Sequence, residues 1–200
     1  MVSDIITITS SGENFGAALE EAQKVADYKG LSTQSTLHLR LLTEEMLGMM
    51  HSITGENSGK FWIEEDFGEY QLHLQVETVV SKEKREELLA ASSSGKNEAS
   101  KGLMGALREF FFRGADEDIA AYNNPLLNAG ATKDAAASMT DWQWSLTRYQ
   151  DNLRAMDAEK PEVSEAWDEL EKSVVKNLAD DVKISIKGWQ TELIIIKKMD

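Results

Sequence analysis

Residues 32–80 read STQSTLHLRLLTEEMLGMMHSITGENSGKFWIEEDFGEYQLHLQVETVV, and this stretch decides the fold. Leu39, Leu42, Met46, Met49, Met50 and Ile53 recur three or four positions apart, the spacing that puts side chains on one face of a helix. Ser32 or Thr33 can cap its start. Glu44, Gly48 and His51 follow each other a turn apart on a neighbouring face. Thr54 to Gly59 has the composition of a loop. Lys60 to Glu65 and Tyr70 to Val80 then read as strands, joined by a turn at Asp66-Phe67-Gly68. On the second strand Leu72, Leu74 and Val76 point one way, and His73, Gln75 and Glu77 point the other.

Upstream, Ile5 to Thr9 alternates apolar and polar residues as a half-buried strand does. Ser10 and Glu13 have capping-box spacing, which predicts a helix start. Phe15, Ala18, Leu19, Ala22, Val25 and Ala26 give that helix one apolar stripe, and Gly30 is its expected stop. Downstream, 81–100 is charged and then Ser-rich, with a helix expected over 82–91 and a flexible composition at 92–95. Leu103, Leu107, Phe110 and Phe111 form the apolar side of a helix over 103–112. After Gly114 the chain is rich in Ala, Asn and acidic residues, with a break at Asn123-Asn124-Pro125. A helix is expected over 140–156, and Pro161 opens another that runs from 162 to 179. The chain closes with strands over 182–186 and 191–198 about a turn at 187–190. The run Leu193-Ile194-Ile195-Ile196 predicts a last strand covered on both faces. Strands and helices mix without regular alternation. The expected class is α+β, a mainly antiparallel sheet with helices packed on one face.

Composition narrows the function. The 200 residues are 42% hydrophobic and 28% charged, enough for a sizeable core in a globular protein. A formal net charge of −14 repels phosphate backbones and anionic lipid. Nucleic acid and membrane are therefore not expected partners. A basic protein surface would be attracted, although solubility alone also accounts for the charge. Absence of cysteine excludes disulfides, thiolate metal sites and cysteine nucleophiles. The N-terminal residues lack the basic start and apolar run of a signal peptide, and no run approaches the ~20 apolar residues of a membrane span. A cytoplasmic protein is the expectation.

The order strand, helix, helix, strand, strand, helix, helical insertion, strand, strand resembles the histidine-kinase-like ATPase fold, and within it the anti-sigma-factor serine kinases. Lys29-Gly30-Leu31-Ser32 stands where those proteins carry a Gly-Leu-Ser between their first two helices. The resemblance divides the chain into a core of 1–114 and 180–200 and a mostly helical insertion of 115–179. It implies a second helix with a catalytic acid followed one turn later by a Mg²⁺-binding Asn. Glu44 aligns with the acid, but the Asn position falls on Gly48. Counting from Glu45 lands on Met49. Glu44 and Glu45 read equally as solvated helix charges. The resemblance also implies an Asp-x-Gly-x-Gly for adenine. Glu77 could imitate the Asp, but Thr78 and Val79 replace the glycine that would admit the base. The phosphate turn corresponds to Lys101-Gly102-Leu103-Met104-Gly105 at a helix start, where backbone N–H groups and the Lys101 ammonium could hold an anion. The same glycines would equally serve a tight helix start.

Other patterns carry less. Gly55-x-x-x-Gly59-Lys60 is one residue short of a P-loop and precedes a strand rather than a helix. His38, His51 and His73 lack zinc-ligand spacing, and each reads as a surface or half-buried histidine. Trp142, Trp144, Tyr149 and Trp167 read as core aromatics, or as a partner-binding hot spot. The resulting expectation is a regulatory, protein-binding domain on an ATPase fold that has weakened or lost ATP binding, with no cofactor. The alternatives are an active anti-sigma-type kinase or ATPase using ATP and Mg²⁺, and an unrelated α+β binding protein. A protein partner is expected, and the resemblance allows a homodimer.

Overall fold

The computed structural model describes residues 1–54, 58–77, 144–156, 161–187 and 190–200. In chain order these form β1 (Ile6–Thr9), α1 (Phe15–Lys29), α2 (Thr33–Thr54), β2 (Ser58–Asp66), β3 (Glu69–Glu77), β4 (Trp144–Ser145), α3 (Leu146–Ala155), α4 (Pro161–Glu171), α5 (Val174–Leu178), β5 (Asp181–Lys187) and β6 (Gln190–Lys198). The strands make one six-stranded sheet in the order β1-β2-β3-β6-β5-β4. Every described pairing is antiparallel. The α+β class expected from the sequence is therefore observed. The closing hairpin docks its second strand against β3, so β6 lies inside the sheet. The helices expected over 82–91 and 103–112, the break at 123–125 and positions 78–80 of the second strand lie outside the described residues.

The start of α1 differs from the expected capping box at Ser10 and Glu13. The helix begins at Phe15, and its cap Asn14 sits at φ 63 with no side-chain capping bond. The residues before it serve the sheet edge instead. Asn14 Nδ2 donates to the Thr7 carbonyl at 2.9 Å, and the Gly12 N–H donates to the Thr9 carbonyl at 2.9 Å. The Glu13 N–H donates to Thr9 Oγ1 at 3.2 Å. These bonds occupy polar groups of β1, an edge strand that would otherwise invite pairing with another chain. The other end of α1 follows the sequence. Gly30 takes a left-handed conformation at φ 66, and the Leu31 N–H closes back on the Ala26 carbonyl at 3.0 Å.

Ser32 caps α2 by accepting the Ser35 N–H at 3.1 Å. Of the segment 54–59 read as a loop, Thr54 belongs to α2 and Ser58-Gly59 belong to β2. Two corrections fall in the later segment. Residues 144–145, expected in a helix, are strand β4, with Trp144 opposite Ile184 and Ser145 opposite Lys183. Ser145 then caps α3 by accepting the Arg148 N–H at 3.3 Å. The single helix expected over 162–179 is broken at Ser173. Its N–H donates to the Leu170 carbonyl at 3.0 Å, while its Oγ accepts the Lys176 N–H at 3.3 Å. A serine that offers the backbone a local alternative ends one helix and caps the next.

One buried apolar cluster joins all of this. Ala18, Ala22, Val25 and Ala26 of α1 and Leu39, Leu42, Met46, Met49 and Met50 of α2 meet Ile8, Phe61, Ile63, Leu72, Leu74 and Ile195 of the sheet. Leu146 and Leu153 of α3, Leu170 of α4 and Val175 of α5 belong to the same cluster. The described part of 115–179 thus shares its core with the N-terminal elements. Each fully buried Leu, Ile or Phe stabilises the fold by about 1.5–3 kcal/mol. On β6, Leu193 and Ile195 enter this core while Ile194 and Ile196 are buried on the opposite face, as the continuous apolar run predicted.

Candidate functional site

The sequence placed a candidate acid on α2, and the geometry there separates the two carboxylates. Glu44 is exposed, on a solvent-facing stripe with Arg40 and Gly48. Glu45 is half-buried, and its carboxyl is pushed above the usual range, first by burial and then by the negative charge of Glu44. One turn beyond Glu44 stands Gly48, where an added Cβ would meet nothing within 4 Å. One turn beyond Glu45 stands Met49, a buried core residue. Neither position offers the hard oxygen that Mg²⁺ requires. No group of three or more His, Cys, Asp or Glu side chains among the described residues could hold a metal. The short helix α5 packs against α2, so the segment read as an insertion borders the helix that carries these acids.

Glu77 is the last residue of β3, in register with Gln190. Its side chain lies outside the described set, as do Lys101, Gly102, Gly105 and the side chain of His51. The structure places Glu44 and Glu45 at consecutive positions on α2, the first exposed and the second half-buried. No helix among the described residues is long and apolar enough to cross a membrane.

A second polar cluster occupies the opposite face of the sheet. His73 of β3 stacks on Trp62 of β2, with ring centroids 4.7 Å apart and an 11° interplanar angle. Its Nδ1 lies 3.0 Å from Glu192 Oε1 on β6. Its Nε2 is 3.9 Å from Glu64 Oε1, too far for a hydrogen bond, and finds no hydrogen-bond partner among the described residues. That Glu64 oxygen accepts the Trp62 indole N–H at 2.9 Å instead. His73 is only 6% exposed, although its alternation reads as outward and polar. The missed signal was register. Trp62 and His73 are equidistant from the tight turn and so face each other directly.

A third cluster anchors the hairpin tip. Glu65 is buried and pairs with Lys29 at the end of α1. It also accepts the Gly68 N–H at 3.1 Å. Lys29 and then the Gly68 N–H hold the Glu65 carboxyl below its ordinary range, and Glu65 holds Lys29 above its own. Burial, then the Glu65 charge, pushes the Tyr70 hydroxyl up. The Met1 amino group donates to the Glu65 carbonyl at 2.6 Å. This network ties α1, the N-terminal segment and the β2–β3 turn together. No family model matches this chain, and no curated protein matches its sequence.

Proposed function

We propose that this chain is a regulatory, protein-binding domain on a histidine-kinase-like ATPase layout that has lost ordinary ATP and Mg²⁺ binding. The element order supports the layout: strand, two helices, a hairpin, and a closing hairpin whose last strand lies beside β3. The loss rests on one observation. The residues one turn beyond Glu44 and Glu45 are a glycine and a buried methionine, so the helix presents an acid without a metal ligand beside it. Phosphoryl transfer depends on positioning and charge neutralisation, and losing a Mg²⁺ ligand removes much of both. The segment of α5 against α2 supports a surface remodelled for contacts other than nucleotide. On this reading the protein is cytoplasmic and its partner is a protein.

Glu45 favours a second reading. A half-buried carboxyl whose ionisation is pushed toward neutrality suits a general base better than exposed Glu44 does. An ATPase of the anti-sigma type would then use Glu45. Titration calorimetry with ATP and Mg²⁺ decides between them. The regulatory reading expects no binding heat at millimolar ATP, and a micromolar Kd would overturn it. An ATP hydrolysis rate that falls in Glu45→Gln but not in Glu44→Gln would establish the second reading.

A further inference from the structure

The stacked Trp62–His73 pair is explained neither by the core nor by the α2 acids. It lies on the face of the sheet opposite α1 and α2, and His73 is buried there. Glu192 decides which nitrogen of the neutral ring carries the proton. An ionised carboxylate only accepts, so the Nδ1 that lies 3.0 Å from Glu192 Oε1 is the donor. The neutral ring therefore turns an Nε2 lone pair toward Glu64 Oε1, 3.9 Å away. Two acceptors gain nothing from each other, and that same Glu64 oxygen takes the Trp62 indole N–H at 2.9 Å instead. One carboxylate oxygen thus stands between two ring nitrogens of a stacked pair, and only the indole has a proton to offer it.

A proton on Nε2 changes the competition. The imidazolium donates from both nitrogens, and a bond from a cation to a carboxylate is stronger than one from a neutral indole. Closing the 3.9 Å gap to the ~2.8 Å of such a bond moves the oxygen by about 1 Å. The Glu64 side chain is 44% exposed and has room for that movement. The register shows which charges share the face. Glu64 and Lys60 come from β2, Glu192 from β6 and Lys183 from β5, while Gln71 and Gln75 flank His73 on β3 itself. The two carboxylates and the Trp62 ring face favour the cation. Burial and the two lysines oppose it.

We propose that Glu64 is a proton-operated latch between β2 and β3. It holds the Trp62 indole while His73 is neutral, and it turns to His73 Nε2 when the ring is protonated. The indole N–H is then released on the sheet face away from the α2 acids. Imidazole is the side chain suited to such a role, because its charge ordinarily changes within about pH 5 to 8. The latch holds whichever reading of α2 is right, since no nucleotide or α2 group takes part in it.

The test is nuclear magnetic resonance of the ¹⁵N-labelled full chain, with Trp62→Phe used to assign the Trp62 indole N–H. On lowering the pH from about 8 to about 5, that proton should move upfield in one step, as a weakened hydrogen bond requires. The step should share its midpoint with the His73 ring resonances. His73→Gln should abolish it. Glu64→Gln keeps an acceptor for the indole and removes the charge, so His73 should still titrate while most of the Trp62 step disappears. An indole resonance that is the same at both pH values overturns the latch. So does a step that persists in His73→Gln, which would belong to another group. A neutral His73 whose ¹⁵N shifts place the proton on Nε2 removes the vacant acceptor and overturns it as well. If His73→Gln does not fold, Glu64→Gln decides alone: an unchanged Trp62 step there refutes the exchange.

Discussion

Two glycine-to-alanine changes should move stability in opposite directions. Gly59 of β2 lies between Ile8 of β1 and Val76 of β3 in the ladder. A Cβ added there would stand 2.7 Å from Val76 Cγ1, 3.0 Å from the Gln75 carbonyl oxygen and 3.2 Å from Met50 Cε. Met50 can bend away. Val76 is held to few rotamers, and the Gln75 oxygen belongs to the backbone. Overpacking of this kind costs about 1–3 kcal/mol, against about 0.5–1 kcal/mol gained by replacing glycine inside a regular element. The net loss for Gly59→Ala is about 1–2 kcal/mol, or a fall in Tm of about 2–8 °C in a chain of this size. Gly48→Ala, in the exposed stripe of α2, meets nothing within 4 Å and should gain about 1 kcal/mol of helix propensity. Thermal melts followed by circular dichroism, with urea titrations to check that the m-value is unchanged, read both effects. If Gly59→Ala matches or exceeds the wild type, the close approach of Val76 and the Gln75 carbonyl to Gly59 is wrong. If Gly48→Ala loses stability, its exposed placement is wrong. The expected loss in Gly59→Ala would explain Gly59 in the P-loop-like run as a packing glycine.

Other outcomes follow from the polar clusters. The folded Glu65 carboxyl titrates below its ordinary value, so the stability it contributes is complete above about pH 4.3 and is lost as pH falls through the lower folded value. Glu65→Gln should therefore flatten the acid limb of Tm against pH while lowering Tm at pH 7. Glu45 titrates above its ordinary value, so its ionisation costs stability as pH rises through that window. Glu45→Gln should raise Tm at pH 7 and leave it unchanged at pH 3, and Glu44→Gln should recover a smaller part of the gain. His73→Ala should lose at least about 0.5–1.5 kcal/mol through the Trp62 stack alone. His73→Phe should fall less in the same urea titration, because it keeps a ring on Trp62.

Local chemistry was legible where one residue settles one conformation. Gly30 ended α1, Ser32 capped α2, and the Asp66-Phe67-Gly68 turn set a hairpin register that counting from the turn extends along both strands. Apolar spacing found the buried face of α2 and the core side of β3. Local reading failed where a side chain had two uses. The Ser10–Glu13 segment folded back on β1 instead of capping α1, Trp144 and Ser145 paired with β5 instead of lying within a helix, and Ser173 split a helical pattern in two. At the candidate site, the spacing showed that neither acid is followed by a metal ligand. It did not show which acid is shielded from water.

The sequence by itself determined α1, α2, the β2–β3 hairpin, the closing strands and the poverty of the α2 motif, since a glycine and a methionine carry no metal-binding side-chain oxygen in any fold. Tertiary structure decided what depends on neighbours distant in the chain. It set β6 between β3 and β5, half-buried Glu45 while leaving Glu44 exposed, and enclosed His73 between Trp62 and Glu192. Burial is a property of a packed environment, assembled from segments more than a hundred residues apart in the case of His73 and Glu192. Periodicity, which reports only on near neighbours, carries no record of it.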